Sequence, residues 1–253
     1  MRAPDWLTAR PIAHRGLHDR ARRRIENTIS AVTAAVERRY AIEVDLQLTA
    51  DEQVVAFHDD TLDRLTEASG RIDRLNLSAV RAARLRDSSD RIPTLDELLE
   101  EVAGRVPLVI ELKSRWNGDR RLEREVATTL SDYSGPAAVM SFDPGSMRAM
   151  RYLLPHLPRG LIADWFETDD WTGIPAYQRF ALRHLLAASY VLPRFIAYGV
   201  HALPANTPLL LRHAFGLPLL TWTVRTAEDR AVAERWANQM IFEGFEPDSL
   251  PNA

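Results

Sequence analysis

The stretch PIAHRGLHD, residues 11–19, opens with a short apolar run and passes into polar residues and a glycine, Gly16. An apolar run that meets a glycine is typical of a short strand ending in a turn. The next segment, IENTISAVTAAVERRY (25–40), has helical periodicity, and AIEVDLQLT (41–49) alternates apolar and polar residues like a strand. This strand–helix–strand order predicts a parallel sheet.

The same alternation continues to the end of the chain. Further strands are predicted at residues 107–114, 137–142, 159–165, 195–200, 217–224 and 239–245, and helices at residues 94–104, 119–133, 144–154, 177–189, 207–215 and 226–237. About eight strand–helix units in 253 residues predict an α/β fold, a closed (β/α)8 TIM barrel forming a single domain over residues 1–253. The polar region at about 59–92 is expected to be a small insertion after strand two.

Composition excludes several classes of function. The net charge is -3 and the longest basic run is three arginines, so nucleic acid is not expected as a partner. The chain has no cysteine, which excludes thiolate catalysis and disulfides. No apolar run has the length of about 18 residues that a membrane span needs. We therefore expect a cytoplasmic protein without stable membrane insertion; the sequence does not indicate its oligomeric state.

Polar side chains collect where the predicted strands end, which is the catalytic face of such a barrel. They are His14 and Arg15 on strand one, Glu43 and Asp45 on strand two, His58 on the extended piece 54–60, Glu111 and Lys113 on strand three, and Trp222 on strand seven. Two of these pairs are spaced i and i+2, so both members point to the same face of their strand. The sequence thus predicts one polar mouth.

Three carboxylates at one mouth, Glu43, Asp45 and Glu111, would repel one another and be costly to desolvate. A divalent cation that prefers oxygen ligands, Ca²⁺ or Mg²⁺, would solve this, and these residues are the predicted metal ligands. The alternative is that each carboxylate pairs with an arginine.

The remaining mouth residues indicate phosphate chemistry. His14 and His58 suit paired proton transfer near neutral pH. Arg15 and Lys113 suit a bound anion, and Lys113 is the only lysine among 32 basic residues. Together these residues predict hydrolysis of a phosphodiester. His18 lies in a loop and is expected to face solvent.

These residues fall within motifs that resemble the glycerophosphodiester phosphodiesterase family over nearly the whole chain. The motifs are AHRG (13–16), ENT (26–28), EVD (43–45), HDDTLDRLT (58–66), ELK (111–113), SF (141–142) and WTV (222–224). The resemblance implies a TIM barrel with a small insertion after strand two. It also implies a Ca²⁺- or Mg²⁺-dependent enzyme that cleaves glycerophosphodiesters, its small-molecule substrates, to glycerol 3-phosphate and an alcohol.

Carried onto matching positions, the resemblance makes His14 and His58 the acid–base pair. It also places Glu26 and Asn27 near the mouth, Glu26 either assisting the metal or bracing Arg15, and Asn27 holding the loop. Two positions depart from the family. Ile25 stands where the family usually has proline before ENT, which is a small change. The end of the chain departs more. Similar proteins finish the last strand with a Thr-Asp-x-Pro type of turn, whereas this chain reads IFEGFEPD (241–248).

Two other functions remain as alternatives. A lysophospholipase D-like enzyme would apply the same chemistry to lysolipids and would need an apolar groove, for which the aromatic residues of 165–171 and the apolar stretch 185–196 are candidates. A non-catalytic barrel would bind a metal or a phosphometabolite, but it would have no need of two proton carriers.

Overall fold

Parallel strands close into a ring in this computed structural model, which describes residues 2–167 and 171–247. The ring contains β1 (Ile12–Ala13), β2 (Ala41–Leu48), β4 (Leu108–Leu112), β5 (Ala137–Ser141), β6 (Arg159–Ala163), β7 (Phe195–Gly199), β8 (Leu219–Val224) and β9 (Gln239–Phe242). Strand β1 closes it, because Ile12 pairs with Ala41 on one side and with Ile241 on the other. The strands follow one another around the ring in chain order, which confirms the predicted (β/α)8 barrel.

Helices connect the strands around the outside of the ring. They are α2 (Ile29–Glu37), α3 (Leu77–Ala82), α4 (Leu95–Val102), α5 (Arg121–Ser131), α6 (Pro144–Leu153), α7 (Ala176–Arg183), α8 (Ala188–Val191), α9 (Asn206–Phe215) and α10 (Ala227–Trp236). A further short helix, α1 (Trp6–Ala9), precedes β1, and its Leu7 packs with the residues that fill the ring.

Two predicted helices differ from the structure, each at a residue with left-handed backbone. The helix predicted from residue 25 begins only at Ile29, because Asn27 has φ = 59° and cannot continue a right-handed helix. The helix predicted at 177–189 is divided between α7 and α8, since Leu185 has φ = 51°.

The core has two main layers, one on each face of the barrel wall. Alternate residues of a strand point to opposite faces, so Val109 packs inside the ring while Ile110 packs against the helices. Phe195 and Met140 fill the ring together with Val109. The filled interior leaves polar groups at the strand ends, which positions the site there.

The region between β2 and β4 has a small apolar cluster of its own. Strand β3 (Val54–Ala56) runs antiparallel to β2 outside the ring. The segment 59–92 that follows contains a 3₁₀ turn at Ile72–Arg74 and the short helix α3. Leu62 and Ile72 pack there against Phe57.

Among the described residues, no helix has both the length and the apolar character of a membrane span.

Gly16 makes the tight turn after β1. It has φ = +79°, and a Cβ added there would lie 2.8 Å from the carbonyl carbon of Ala31. Gly216 has φ = +65° with open space around it, so it shares the backbone constraint without the close contact. We expect Gly16→Ala to cost about 1–2 kcal/mol for the left-handed backbone and a further cost for the clash.

Thermal unfolding followed by circular dichroism measures this effect. Gly16→Ala should lower the Tm more than the control Gly216→Ala, because the backbone cost is shared and each kcal/mol of the clash shifts the Tm of a protein of this size by roughly 2–4 °C. Equal melting temperatures for the two variants would show that Ala31 moves aside without cost.

Candidate active site

A cavity of about 290 Å³ opens at the carboxyl ends of the barrel strands. Seven of the predicted site residues line it: His14, Arg15, Glu43, His58, Glu111, Lys113 and Trp222. The other three are bonded to one another or to the lining residues: Glu26 pairs with Arg15, Asn27 bonds to Asp45, and Asp45 pairs with Arg15 and Lys113. The structure therefore brings all ten predicted residues to one end of the barrel.

The three carboxylates meet because of strand register. Glu43 and Asp45 are two residues apart on β2, and Glu111 lies directly beside Asp45 on β4. One oxygen from each residue lies within 4.8 Å of the others. Glu43 and Asp45 are each only 1% exposed. Carboxylate oxygens grouped in this way are the donor set that Ca²⁺ and Mg²⁺ prefer, so these residues could hold such an ion.

Only a few positively charged side chains of the described residues lie near the three carboxylates. Lys113 Nζ lies 3.0 Å from Glu111 Oε1 and 3.5 Å from Asp45 Oδ1, and Arg15 Nε lies 3.2 Å from Asp45 Oδ2. Glu43 accepts the backbone N–H of Arg15 at 2.9 Å. The alternative of one arginine side chain for each carboxylate therefore holds only for Asp45 among the described residues.

The pKa values of the three carboxyl groups show that the nearby positive charges compensate them unequally. Burial raises the pKa of Glu43 well above its ordinary value, and the charges of Asp45 and Glu111 add to the effect. Burial also raises the pKa of Glu111. For Asp45 burial acts in the same direction, but Lys113 and Arg15 together hold the pKa of that carboxyl well below its usual range. A divalent cation would supply the charge that the cluster lacks.

A turn with left-handed backbone presents Arg15 to the cavity. Arg15 has φ = 56°, and its carbonyl accepts the N–H of Asn27 at 2.9 Å. The Asn27 side chain donates to Asp45 Oδ2 at 2.9 Å and accepts the Asp45 N–H at 3.1 Å. Glu26 Oε1 lies 2.5 Å from the Arg15 guanidinium. Asn27 thus ties the turn to β2, and of the two roles expected for Glu26 the contacts favour bracing Arg15.

Sequence reasoning assigned no role to Glu243, yet this residue holds His14. Glu243 Oε2 lies 2.5 Å from His14 Nδ1, which leaves Nε2 of the imidazole facing Glu43 at 3.9 Å. Burial lowers the pKa of His14, against the opposing effect of Glu243. Burial alone would raise the pKa of Glu243, but hydrogen bonds with His14 and His18 bring it well below its ordinary value.

The signal for Glu243 was the departure from the family motif at 241–248, whose last residue, Asp248, lies outside the described residues. The expectation that His18 faces solvent is wrong. Its Nε2 lies 3.5 Å from Glu243 Oε2, and its side chain is 23% exposed, because barrel closure brings β9 beside the loop after β1.

His58 has a carboxylate partner next to it in the chain. Its Nδ1 lies 2.8 Å from Asp59 Oδ1. Arg64 contacts Asp59 through Nε at 2.5 Å and Glu26 through both terminal nitrogens, at 3.0 and 2.7 Å. Arg64 therefore links His58 to the residue that braces Arg15. Asp59 and Arg64 both fall within the motif at 58–66, but their spacing alone did not indicate this chain of contacts.

Trp222 forms part of an aromatic wall opposite the carboxylates. Its ring centroid lies 5.5 Å from that of Phe142 in an edge-to-face arrangement, and Phe142 lies 5.0 Å from Trp171. The indole N–H of Trp222 is buried and has no hydrogen-bond partner among the described residues. This wall can contact apolar parts of a bound molecule and can donate one hydrogen bond.

Known proteins share both the sequence pattern and the fold. A Bacillus subtilis relative is 35% identical over 160 residues, which are 60% of this chain and 64% of that protein, so the match spans less than two thirds of its length. A glycerophosphodiester phosphodiesterase of Caldanaerobacter subterraneus is 29% identical over 231 residues, or 86% of each chain.

A solved structure of an Oleispira antarctica phosphodiesterase in complex with the product sn-glycerol-3-phosphate has a similar fold. It superposes with a TM-score of 0.75 at 20% identity and covers 92% of this chain and 91% of that one. The model of the glycerophosphoryl diester phosphodiesterase family matches residues 14–249. This match includes both histidines and all three clustered carboxylates, and the chain belongs to the glycerophosphoryl diester phosphodiesterase family.

Proposed function

We propose that the protein hydrolyses small glycerophosphodiesters to glycerol 3-phosphate and an alcohol, with Ca²⁺ or Mg²⁺ as cofactor. The observation that carries this proposal is the shared cavity. Three clustered carboxylates, two cationic side chains and two imidazoles, each with a carboxylate on Nδ1, meet at one end of the barrel. The family membership and the names of the relatives agree with this reaction.

Glu43, Asp45 and Glu111 would hold the cation, since they form a compact set of oxygen donors. When bound, a divalent cation neutralises the negative charge that develops on a phosphoryl group. Arg15 and Lys113 line the same cavity, and their carboxylate partners hold them in place beside the position of an anion. We assign the phosphate to these two side chains.

The two histidines would divide the proton transfers. With Nδ1 of His14 bonded to Glu243, Nε2 is free to take the proton of the attacking oxygen. Asp59 orients His58 in the same way, and His58 gives a proton to the alcohol oxygen as its bond to phosphorus breaks. The same arrangement serves attack by water, which gives glycerol 3-phosphate directly. It also serves attack by the glycerol hydroxyl of the substrate, which releases the alcohol and forms a cyclic phosphate that water opens to glycerol 3-phosphate in a second step.

The first test measures release of glycerol 3-phosphate from glycerophosphocholine after removal of metal with a chelator. We expect activity to disappear and to return with added Ca²⁺ or Mg²⁺. Glu43→Gln should lose most of this activity and also the increase in Tm that the cation causes, because one ligand charge is missing. Without metal the variant should melt no lower than the wild type, since the substitution relieves repulsion.

Glu37→Gln, an exposed change on α2, is the matched control and should behave like the wild type. Full activity of the chelator-treated protein would remove the metal from the proposal.

His14→Ala and His58→Ala should each lower kcat by roughly 10²–10⁴-fold, because each removes a proton carrier. Cation binding measured by calorimetry should be retained, since neither imidazole belongs to the carboxylate cluster. His213→Ala, an exposed change on α9, is the control. Normal turnover in both site variants would contradict the acid–base assignment.

Glu243→Gln should lower kcat by roughly 10–100-fold with little change in KM, because the amide holds the His14 ring without supporting its positive charge. The neighbouring Glu246→Gln is exposed on the same turn and should leave kcat unchanged. Steady-state kinetics on both variants make the comparison. An equal kcat in Glu243→Gln and wild type would show that His14 works without its partner.

A further inference from the structure

Asp164 follows β6 and lines the active-site cavity. It also lines an adjoining cavity. Among the described residues, Asp164 is the one carboxylate lining these two cavities that has no ion pair within 4.0 Å. The others have a basic side chain within that distance: Glu43, Asp59, Asp60, Glu111 and Asp143.

Arg183 and His201 act electrostatically on Asp164, and Arg225 lines the active-site cavity with it, but all three have other partners. Arg183 pairs with Glu167 at 3.2 Å, and Arg225 pairs with Glu243 at 2.5 Å. The third, His201, lies 3.6 Å from Asp229. Among the described residues, no basic side chain therefore forms an ion pair with Asp164.

Three aromatic rings line the same cavity as this carboxylate. Phe142, Trp171 and Trp222 line the adjoining cavity together with Asp164, and Phe142 packs against both tryptophans. Aromatic faces attract cations, most strongly those of tryptophan, and quaternary ammonium groups are bound in proteins by such rings. A carboxylate beside three aromatic rings is a binding environment for an organic cation.

The adjoining cavity also fixes where such a cation would lie relative to the reaction. It contains His58, Glu111 and Lys113 but not His14. In the proposed reaction His58 gives a proton to the leaving alcohol, so the alcohol lies on the His58 side. Asp164, Phe142 and Trp222 line both cavities and Trp171 lines only the adjoining one, so this group connects the reaction centre to the cavity on the leaving-group side.

We infer that Asp164, Phe142, Trp171 and Trp222 form a subsite for a positively charged alcohol group, so that the enzyme prefers ammonium-bearing glycerophosphodiesters to neutral ones. This inference rests on the proposed function for the position of the alcohol. Burial raises the pKa of Asp164, and no neighbouring charge reverses that effect. A bound ammonium would favour the ionised carboxylate.

The test has a binding part and a kinetic part. Choline is titrated into the protein, with tryptophan fluorescence as the signal, and 3,3-dimethylbutanol serves as the uncharged analogue of the same shape. In Asp164→Asn we expect choline to bind roughly tenfold more weakly, while the neutral analogue binds equally to both proteins. Asp132→Asn, an exposed change after α5, is the control and should bind choline like the wild type.

In the kinetic part, kcat/KM is measured for glycerophosphocholine and for the neutral glycerophosphoglycerol. Asp164→Asn should lower kcat/KM roughly tenfold for glycerophosphocholine and less than twofold for glycerophosphoglycerol. Equal losses on both substrates, or unchanged choline binding, would overturn the subsite. Asp164-dependent choline binding in a protein that cleaves no glycerophosphodiester would instead contradict the proposed function and leave the subsite standing.

Discussion

Three carboxylates held within 4.8 Å of one another in a buried cavity are the constraint on which the site depends. Their mutual repulsion and their loss of hydration are both costly. The barrel sustains this arrangement because β2 and β4 are anchored on both faces by apolar packing. Lys113 and Arg15 offset part of the charge from the same strands and from the turn after β1. The remaining excess of negative charge is what a bound divalent cation would neutralise.

A second layer of contacts holds the residues that face the cavity. Asn27 ties the Arg15 turn to β2, and Arg64 connects Glu26 to Asp59. These are charge-assisted hydrogen bonds, and the bonds of Asn27 to Asp45 and of Arg64 to Glu26 join separate segments of the chain. They fix positions that a loop alone would leave variable. The segment 59–92 supplies Arg64 and thereby takes part in shaping the mouth.

The sequence allowed the barrel and its polar mouth to be predicted because both follow from local periodicity. The i and i+2 spacing on β2 and β4 was enough to place Glu43, Asp45, Glu111 and Lys113 on one face. Helix boundaries failed where one residue adopts left-handed backbone, as at Asn27, since periodicity does not report backbone angles.

The role of Glu243 could not be predicted from local sequence patterns, because its partner His14 lies 229 positions away in the sequence. Only the pairing of β9 with β1 brings the two residues together.

That pairing also affects the stage of chain synthesis at which the active site can be completed. The carboxylate cluster is complete once residue 111 has been made, whereas the group that orients His14 belongs to the last strand of the ring. A nascent chain can thus carry every proposed cation ligand and both imidazoles while still lacking the carboxylate that aligns one of them. The timing of catalytic competence during synthesis is set by the closing strand.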